Sequence, residues 1–253
     1  MAKCALIGNP ISHSKSPALF KAAYPEGNHT YTLLEAPTCK EAMLKFMEEG
    51  FTGTNVTSPF KDEVMKYIST PDSISALLGS ANTILLKDGK LHSWNTDYYG
   101  VKNTLEQLLP ADLREKKITA LAIGAGGAGK AAALAVKDMG MELFIANRSA
   151  ATAKPFAQKI GGEYIPLYEI PAILPKADII LYNLSVPIDQ FKGANLQGKI
   201  VFEANYARPN LTGLGASSYI DGRYWLYNQA IPAFKLFTGE DPNTSAMRCI
   251  MGL

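Results

Sequence analysis

The chain has 253 residues, of which 47% are hydrophobic and 19% charged, a balance that supports a folded core and excludes a disordered or low-complexity chain. Its formal net charge is +2, with both signs scattered, which leaves no footprint for nucleic acid or an anionic membrane surface. No segment reaches the ~18 apolar residues of a membrane span, and the apolar start up to Ile7 is too short for a signal peptide.

Lys3 to Ile7 predicts a buried strand, ending in the loop Gly8-Asn9-Pro10-Ile11-Ser12-His13-Ser14-Lys15-Ser16-Pro17. Pro17 suits the first turn of a helix over 18–24, with Ser16 as its cap. Ser14 and Ser16 have two readings at this point: turn and cap formation, or hydroxyls converging with helix-start N–H groups on an anion such as a carboxylate. Tyr31 to Glu35 predicts a second strand. Thr38 caps a helix running to Glu49, with Ala42, Leu44, Phe46 and Met47 among its apolar positions and Gly50 as its stop. The stretch Gly53-Thr54-Asn55-Val56-Thr57-Ser58-Pro59-Phe60-Lys61 predicts a short strand broken by proline. Lys61 then begins or just precedes a helix, where the dipole disfavours a cation; a solvated surface lysine and a functional one both fit.

Thr83 to Lys87 and Lys90 to Trp94, joined by Asp88-Gly89, predict a hairpin. Asn95-Thr96-Asp97 opens a helix over 98–109, with Asp97 as its cap, a role that does not exclude a second one. The polar stretch 110–117 is expected to be a passage between domains.

Ile118 to Arg148 predicts buried strand, tight turn, helix and second buried strand. Gly124, Gly126 and Gly129 fill the G-x-G-x-x-G spacing within Gly124-Ala125-Gly126-Gly127-Ala128-Gly129, where missing side chains let a pyrophosphate reach the N–H groups of a helix start. Asn147 and Arg148 stand where an acidic residue would bind the ribose hydroxyls of NAD; an arginine there accommodates a 2′-phosphate and points to NADP. The run Gly124 to Lys130 also matches G-x-x-x-x-G-K, but Ala131 replaces the Ser or Thr that would hold magnesium, which counts against a nucleoside triphosphate.

Farther on, 150–160 predicts a helix that Pro155 should break early or bend. Ala177 to Tyr182 and Lys199 to Glu203 predict strands, leading into Asn183-Leu184-Ser185-Val186-Pro187 and Asn205-Tyr206-Ala207-Arg208-Pro209. Strand ends in such folds face ligands, which makes Ser185 and Tyr206 candidate site neighbours, although ordinary loop residues fit as well. Asn228 to Phe237 predicts a last helix, with Ile231, Phe234 and Phe237 as its buried stripe and Pro232 tolerable only in its first turn. Cys4, Cys39 and Cys249 are too few and too separated for a disulfide framework or zinc, and His13, His29 and His92 lack ligand spacing. A reducing, cytoplasmic setting without a metal is the expectation.

The loop Gly8 to Pro17, Asn55 to Lys61, Ala81-Asn82-Thr83, Asn95-Thr96-Asp97, the glycine turn, Asn147-Arg148-Ser149 and Gln229-Ala230 occur in the order and spacing of shikimate dehydrogenases, which the chain resembles over nearly its whole length. The resemblance implies two α/β domains with a cleft between them: a substrate domain of residues 1–98 plus 228–253 and a Rossmann-type NADP-binding domain of 99–227. It implies that Ser14 and Ser16 hold the substrate carboxylate, that Thr57, Asn82, Asp97 and Gln229 bind ring hydroxyls, with Tyr206 near the substrate, and that Lys61, paired with Asp97, is the acid/base residue. Gly124, Ala125, Gly126, Gly127, Ala128, Asn147, Arg148, Ser149 and Gly222 are the implied cofactor positions. The implied reaction is reversible reduction of 3-dehydroshikimate to shikimate by NADPH, by a monomer or homodimer.

The chain departs from many relatives at Val186-Pro187, where a glycine-methionine pair is common, at Trp225-Leu226-Tyr227, often methionine-leucine-valine, and at Thr152 and Lys154, near which an arginine is common. Quinate oxidation, alone or beside shikimate oxidation, and a non-catalytic regulator binding NADP or shikimate are the rival expectations.

Overall fold

The computed structural model describes residues 1–27, 29–110, 113 and 116–253. The chain divides into two compact units, Met1–Tyr99 with Tyr227–Leu253, and Gly100–Leu226. The boundary falls inside a helix, not in the polar stretch 110–117, of which 111, 112, 114 and 115 lie outside the described residues.

The first unit is built on a six-stranded mixed sheet, β1 (Lys3–Gly8), β2 (Thr30–Glu35), β3 (Gly53–Val56), β4 (Thr70–Pro71), β5 (Thr83–Lys87) and β6 (Lys90–Trp94), in the order β2-β1-β3-β5-β6-β4. β1 pairs in parallel with β2 and β3, whereas β5 runs antiparallel to β3 and to β6. Asp88 and Gly89 both have positive φ, 51° and 70°, the two-residue turn whose twist matches the strands it joins. Helices α1 (Ser16–Ala23), α2 (Cys39–Glu48) and α3 (Ser73–Leu78) belong to this unit, and α4 (Asp97–Leu108) leads out of it.

Two local expectations are corrected here, for Ser16 and for Lys61. Ser16 does not cap α1 but opens it; the Ser14 hydroxyl accepts the Ser16 N–H at 3.2 Å and takes over that task. On α2 the buried face is Cys39, Ala42, Met43 and Phe46, while the apolar Leu44 and Met47 are half exposed. Lys61 does not start an α-helix; a 3-10 turn follows at Glu63–Tyr67, so no long helix dipole acts on it.

The second unit carries a six-stranded, wholly parallel sheet: β7 (Thr119–Ile123), β8 (Glu142–Asn147), β9 (Glu163–Pro166), β10 (Ile179–Tyr182), β11 (Ile200–Glu203) and β12 (Ser218–Asp221). The order β12-β11-β10-β7-β8-β9 is that of a doubly wound dinucleotide-binding sheet, which reverses direction beside its first strand. β7, β10 and β11 are buried over nearly their whole length, the mark of strands covered on both faces. α5 (Gly127–Asp138) crosses from β7 to β8, and α6 (Ala150–Lys159) and the short α7 (Ile170–Ile173) follow β8 and β9.

Pro155 does not break α6: it lies on the exposed side, as does Ala151, whose carbonyl loses its intrahelical partner, so water can take that acceptor. The last long helix, α8 (Gly222–Thr238), also begins well before the expected Asn228 and continues through Pro232. An interior proline costs about 3 kcal/mol. Burial of Trp225 ahead of it and of Phe234 and Phe237 behind it, each contributing roughly 1.5–3 kcal/mol, offsets that cost. Phe234 meets Phe20 of α1 edge-on at 4.9 Å, and α9 (Thr244–Met251) packs on α1.

Candidate active site

The polar residues singled out in the first unit hang on two backbone links. Lys61 follows Phe60 and precedes Val64, both buried in the apolar core, and its carbonyl accepts the Ala81 N–H at 2.9 Å. This places Lys61 beside the segment that opens β5. Its Nζ donates to Asp97 Oδ2 at 2.5 Å, with side-chain exposures of only 16% and 8%, so water competes weakly for the pair. Asp97 is the first residue of α4.

Asn82 is joined to the same two segments. The Thr96 N–H donates to Asn82 Oδ1 at 2.7 Å, and the Thr83 hydroxyl donates to it at 3.0 Å. A backbone N–H can only donate, which fixes the Asn82 oxygen on that side and turns its Nδ2 toward Gln229 Oε1, 3.2 Å away. The Gln229 amide is thereby oriented as well. It arrives there because Ala230, Ala233, Phe234 and Phe237 form the buried stripe of α8, while Ile231 is only partly buried.

Ser14 Oγ lies 3.2 Å from Ser16 Oγ at the start of α1. Burial pushes the proton affinity of the Tyr31 phenol well upward, with the nearby Cys4 thiol adding to the effect and the Ser16 hydroxyl opposing it. Tyr31 donates to Asn55 Oδ1 at 2.8 Å, and Asn55 Nδ2 donates to Thr83 Oγ1 at 3.2 Å. A continuous hydrogen-bonded path thus runs from Tyr31 through Asn55, Thr83 and Asn82 to Gln229. Tyr31, Asn55, Thr83 and Thr96 had no assigned role in the sequence, although a polar Asn55 inside a four-residue buried strand was a signal that a partner must exist. Thr57 is partly buried at the end of β3, where its N–H donates to the Ile7 carbonyl at 2.8 Å.

In the second unit the candidate site is made of backbone. Gly124 has φ of 93° and donates its N–H to the Ala146 carbonyl at 2.9 Å. A Cβ at Gly129 would lie 2.0 Å from the Gly124 oxygen, so the helix start can press on the turn only if residue 129 is glycine. A Cβ at Gly126 would meet nothing within 4 Å, so space lies open where a phosphate would approach the start of α5. The Ala125 N–H is taken by Asn147 Oδ1 at 3.2 Å, and Asn147 Nδ2 donates to the Ser149 carbonyl at 3.1 Å. Asn147 therefore ties the turn to the exposed Arg148-Ser149 segment. Gly127 and Ala128 form the first turn of α5. Gly222 is buried against the Ala204 carbonyl, and Tyr206 is partly buried in the loop after β11. Val186 is exposed after β10, while Trp225 packs on Phe202 at 5.6 Å, the packing reason for an aromatic residue there. Among the described residues, no cluster of His, Cys, Asp and Glu could hold a metal, and no helix is long and apolar enough to cross a membrane.

Known proteins match both units. Residues 6–84 match the shikimate dehydrogenase substrate binding domain, and residues 105–193 the shikimate/quinate 5-dehydrogenase family. The shikimate dehydrogenase (NADP(+)) of Halobacterium salinarum is 34% identical over 262 residues, covering 97% of each chain. The shikimate 5-dehydrogenase of Thermus thermophilus, solved in complex with NADP(H) and shikimate, superposes with a TM-score of 0.82 at 27% identity, over 100% of this chain and 99% of that one. The quinate dehydrogenase of Corynebacterium glutamicum, solved in complex with NAD, superposes with a TM-score of 0.83 at 25% identity, over 100% and 99%. The chain belongs to the shikimate dehydrogenase family.

Proposed function

We propose that this protein catalyses the reversible, NADPH-dependent reduction of 3-dehydroshikimate to shikimate, with Lys61 as its acid/base group. The observation that carries this reading is the Lys61–Asp97 pair at 2.5 Å, linked through Ala81 and Thr96 to the oriented amides of Asn82 and Gln229. NADPH, when bound, supplies the hydride. Lys61 gives its proton to the alkoxide that develops on the ketone oxygen and opposes the charge; in the reverse direction it takes the proton of the shikimate hydroxyl. Asp97 holds the ammonium in place. The 16% of the Lys61 side chain that remains exposed lets solvent return the proton.

Ser14 and Ser16 bind the carboxylate in this scheme, Thr57, Asn82, Asp97 and Gln229 take the hydroxyls, and Tyr206 is a further substrate contact. A substrate lacking one hydroxyl would leave a buried partner unpaired, which is a strong basis for discrimination. The residues of the second unit fit the cofactor: Gly124, Ala125, Gly126, Gly127 and Ala128 offer an open helix start to a pyrophosphate, and the exposed Arg148, with Asn147 and Ser149, offers a cation to a 2′-phosphate. Gly222 completes this set. Apart from Tyr206, the proposed substrate residues belong to Met1–Tyr99 with Tyr227–Leu253, and the proposed cofactor residues belong to Gly100–Leu226. Free Cys4, Cys39 and Cys249 support a reducing, cytoplasmic setting.

The similarity to a quinate dehydrogenase keeps quinate as the competing substrate. The test follows nicotinamide absorbance with shikimate or quinate and with NADP or NAD. Turnover with shikimate and NADP alone supports the proposal; turnover with quinate and NAD replaces it; binding of shikimate or NADP without turnover assigns a regulator. Light scattering separates monomer from homodimer.

A further inference from the structure

Glu203 closes β11 and is fully buried, yet none of the roles above uses it. Four donors converge on its carboxylate. Oε1 accepts the Asn210 N–H at 2.5 Å and Asn210 Nδ2 at 2.8 Å; Oε2 accepts the Leu211 N–H at 3.0 Å and the Tyr219 hydroxyl at 2.8 Å. Burial first, then the hydrogen bond to Glu203 and its charge, push the Tyr219 phenol far up, so Tyr219 stays a donor. Only an acceptor-only group suits such a position: a glutamine would set two N–H bonds against donors already there.

Two of the four donors are backbone N–H groups seven and eight residues downstream, so the carboxylate clasps the loop 204–211 shut. That loop carries Tyr206. It is fastened to the strand-end loop after β10 as well, through Asn205 Nδ2 to the Ser185 carbonyl at 3.4 Å and Asn210 Nδ2 to the Leu184 carbonyl at 3.5 Å. Its root, the Ala204 carbonyl, lies against Gly222, where an added Cβ would be only 2.3 Å away. The ends of parallel strands in this topology are where ligands bind, and Glu203 sits at one of them.

We propose that Glu203 is a positioning residue for the substrate: it sets the conformation of the loop 204–211 and, through it, the place of Tyr206. The proposal rests on the assignment of Tyr206 to substrate binding. Glu203 takes no part in proton transfer. Its loss acts on substrate affinity and leaves the chemical step to Lys61.

The test is a double-mutant cycle in steady-state kinetics on the full chain, with NADP affinity measured separately by quenching of protein fluorescence. Glu203→Gln is expected to raise KM for shikimate about tenfold, to leave kcat within about threefold and to leave its pH profile unshifted. Tyr206→Ala is expected to raise KM to a similar degree, and the double variant no further, because both act through one contact. NADP affinity stays within about twofold in each variant. A normal KM in Tyr206→Ala refutes the role of Tyr206 itself. A raised KM there, with Glu203→Gln unchanged or strictly additive, overturns the Glu203 proposal alone. A fall in kcat and in NADP affinity beside a raised KM assigns Glu203 to stability only. If Glu203→Gln fails to fold, Tyr219→Phe removes a single donor; a KM raised about threefold that Tyr206→Ala absorbs supports the proposal, and an unchanged KM overturns it.

Discussion

The two units solve the problem of holding a small polar ligand in opposite ways. In Met1–Tyr99 with Tyr227–Leu253 the candidate site is made of side chains, each oriented by another: Thr96 turns Asn82, Asn82 turns Gln229, and Asp97 holds Lys61. In Gly100–Leu226 it is made mainly of side chains that are missing, with Gly124, Gly126 and Gly129 leaving the backbone bare at the start of α5. A side-chain site breaks when an atom is removed. A backbone site breaks when one is added.

That contrast can be broken in order of expected effect. Lys61→Ala should lower kcat on the order of 10³-fold while NADP binding, followed by fluorescence quenching, stays within about twofold. Near-normal turnover in that variant sinks the acid/base assignment. Asp97→Asn should come next, lowering kcat about 10²-fold and raising KM for shikimate, since the ammonium loses its charged partner and the carboxylate its bond to substrate.

In the other unit, atoms are added instead. Gly129→Ala should destabilise the unit by about 1–3 kcal/mol, read as a lower denaturant midpoint, because its Cβ would meet the Gly124 oxygen at 2.0 Å. Gly126→Ala, whose Cβ meets nothing, should fold normally and weaken NADP binding about tenfold by filling the space that a phosphate needs. If both alanines weaken folding equally, the open space at Gly126 is not a ligand space. The smallest effect sharpens cofactor choice: Arg148→Ala should weaken NADP about tenfold and leave NAD within about twofold, and equal losses for both cofactors would remove the 2′-phosphate role.

Legibility in the sequence followed the same division. The glycine turn, the apolar runs of β7 and β8 and the Asp88-Gly89 hairpin were readable because each depends on neighbours in the chain. The edge strands β9 and β12 were not singled out: Glu163–Pro166 and Ser218–Asp221 are short and mixed, and lie at the two borders of the sheet where no continuous apolar run is required. The expected start of the last long helix failed for a related reason. Local preference places Pro232 in a first turn, but aromatic burial on both sides carries α8 from Gly222 to Thr238.

What the amino-acid order determined by itself was the set of groups present: hydroxyls near one helix start, a lysine, an aspartate, a bare glycine turn and a basic residue after the second strand of that motif. Only the tertiary structure decided which of them meet. Lys61 and Asp97 are 36 residues apart, and Asn82 and Gln229 are 147 apart, yet each pair is in hydrogen-bond contact. Glu203 shows the same limit, since a buried carboxylate with four donors looks in the sequence like the polar end of an apolar strand. Short-range order is written in propensity and spacing. Long-range partnership is set by which faces of distant elements bury together, and that free energy belongs to the folded chain as a whole.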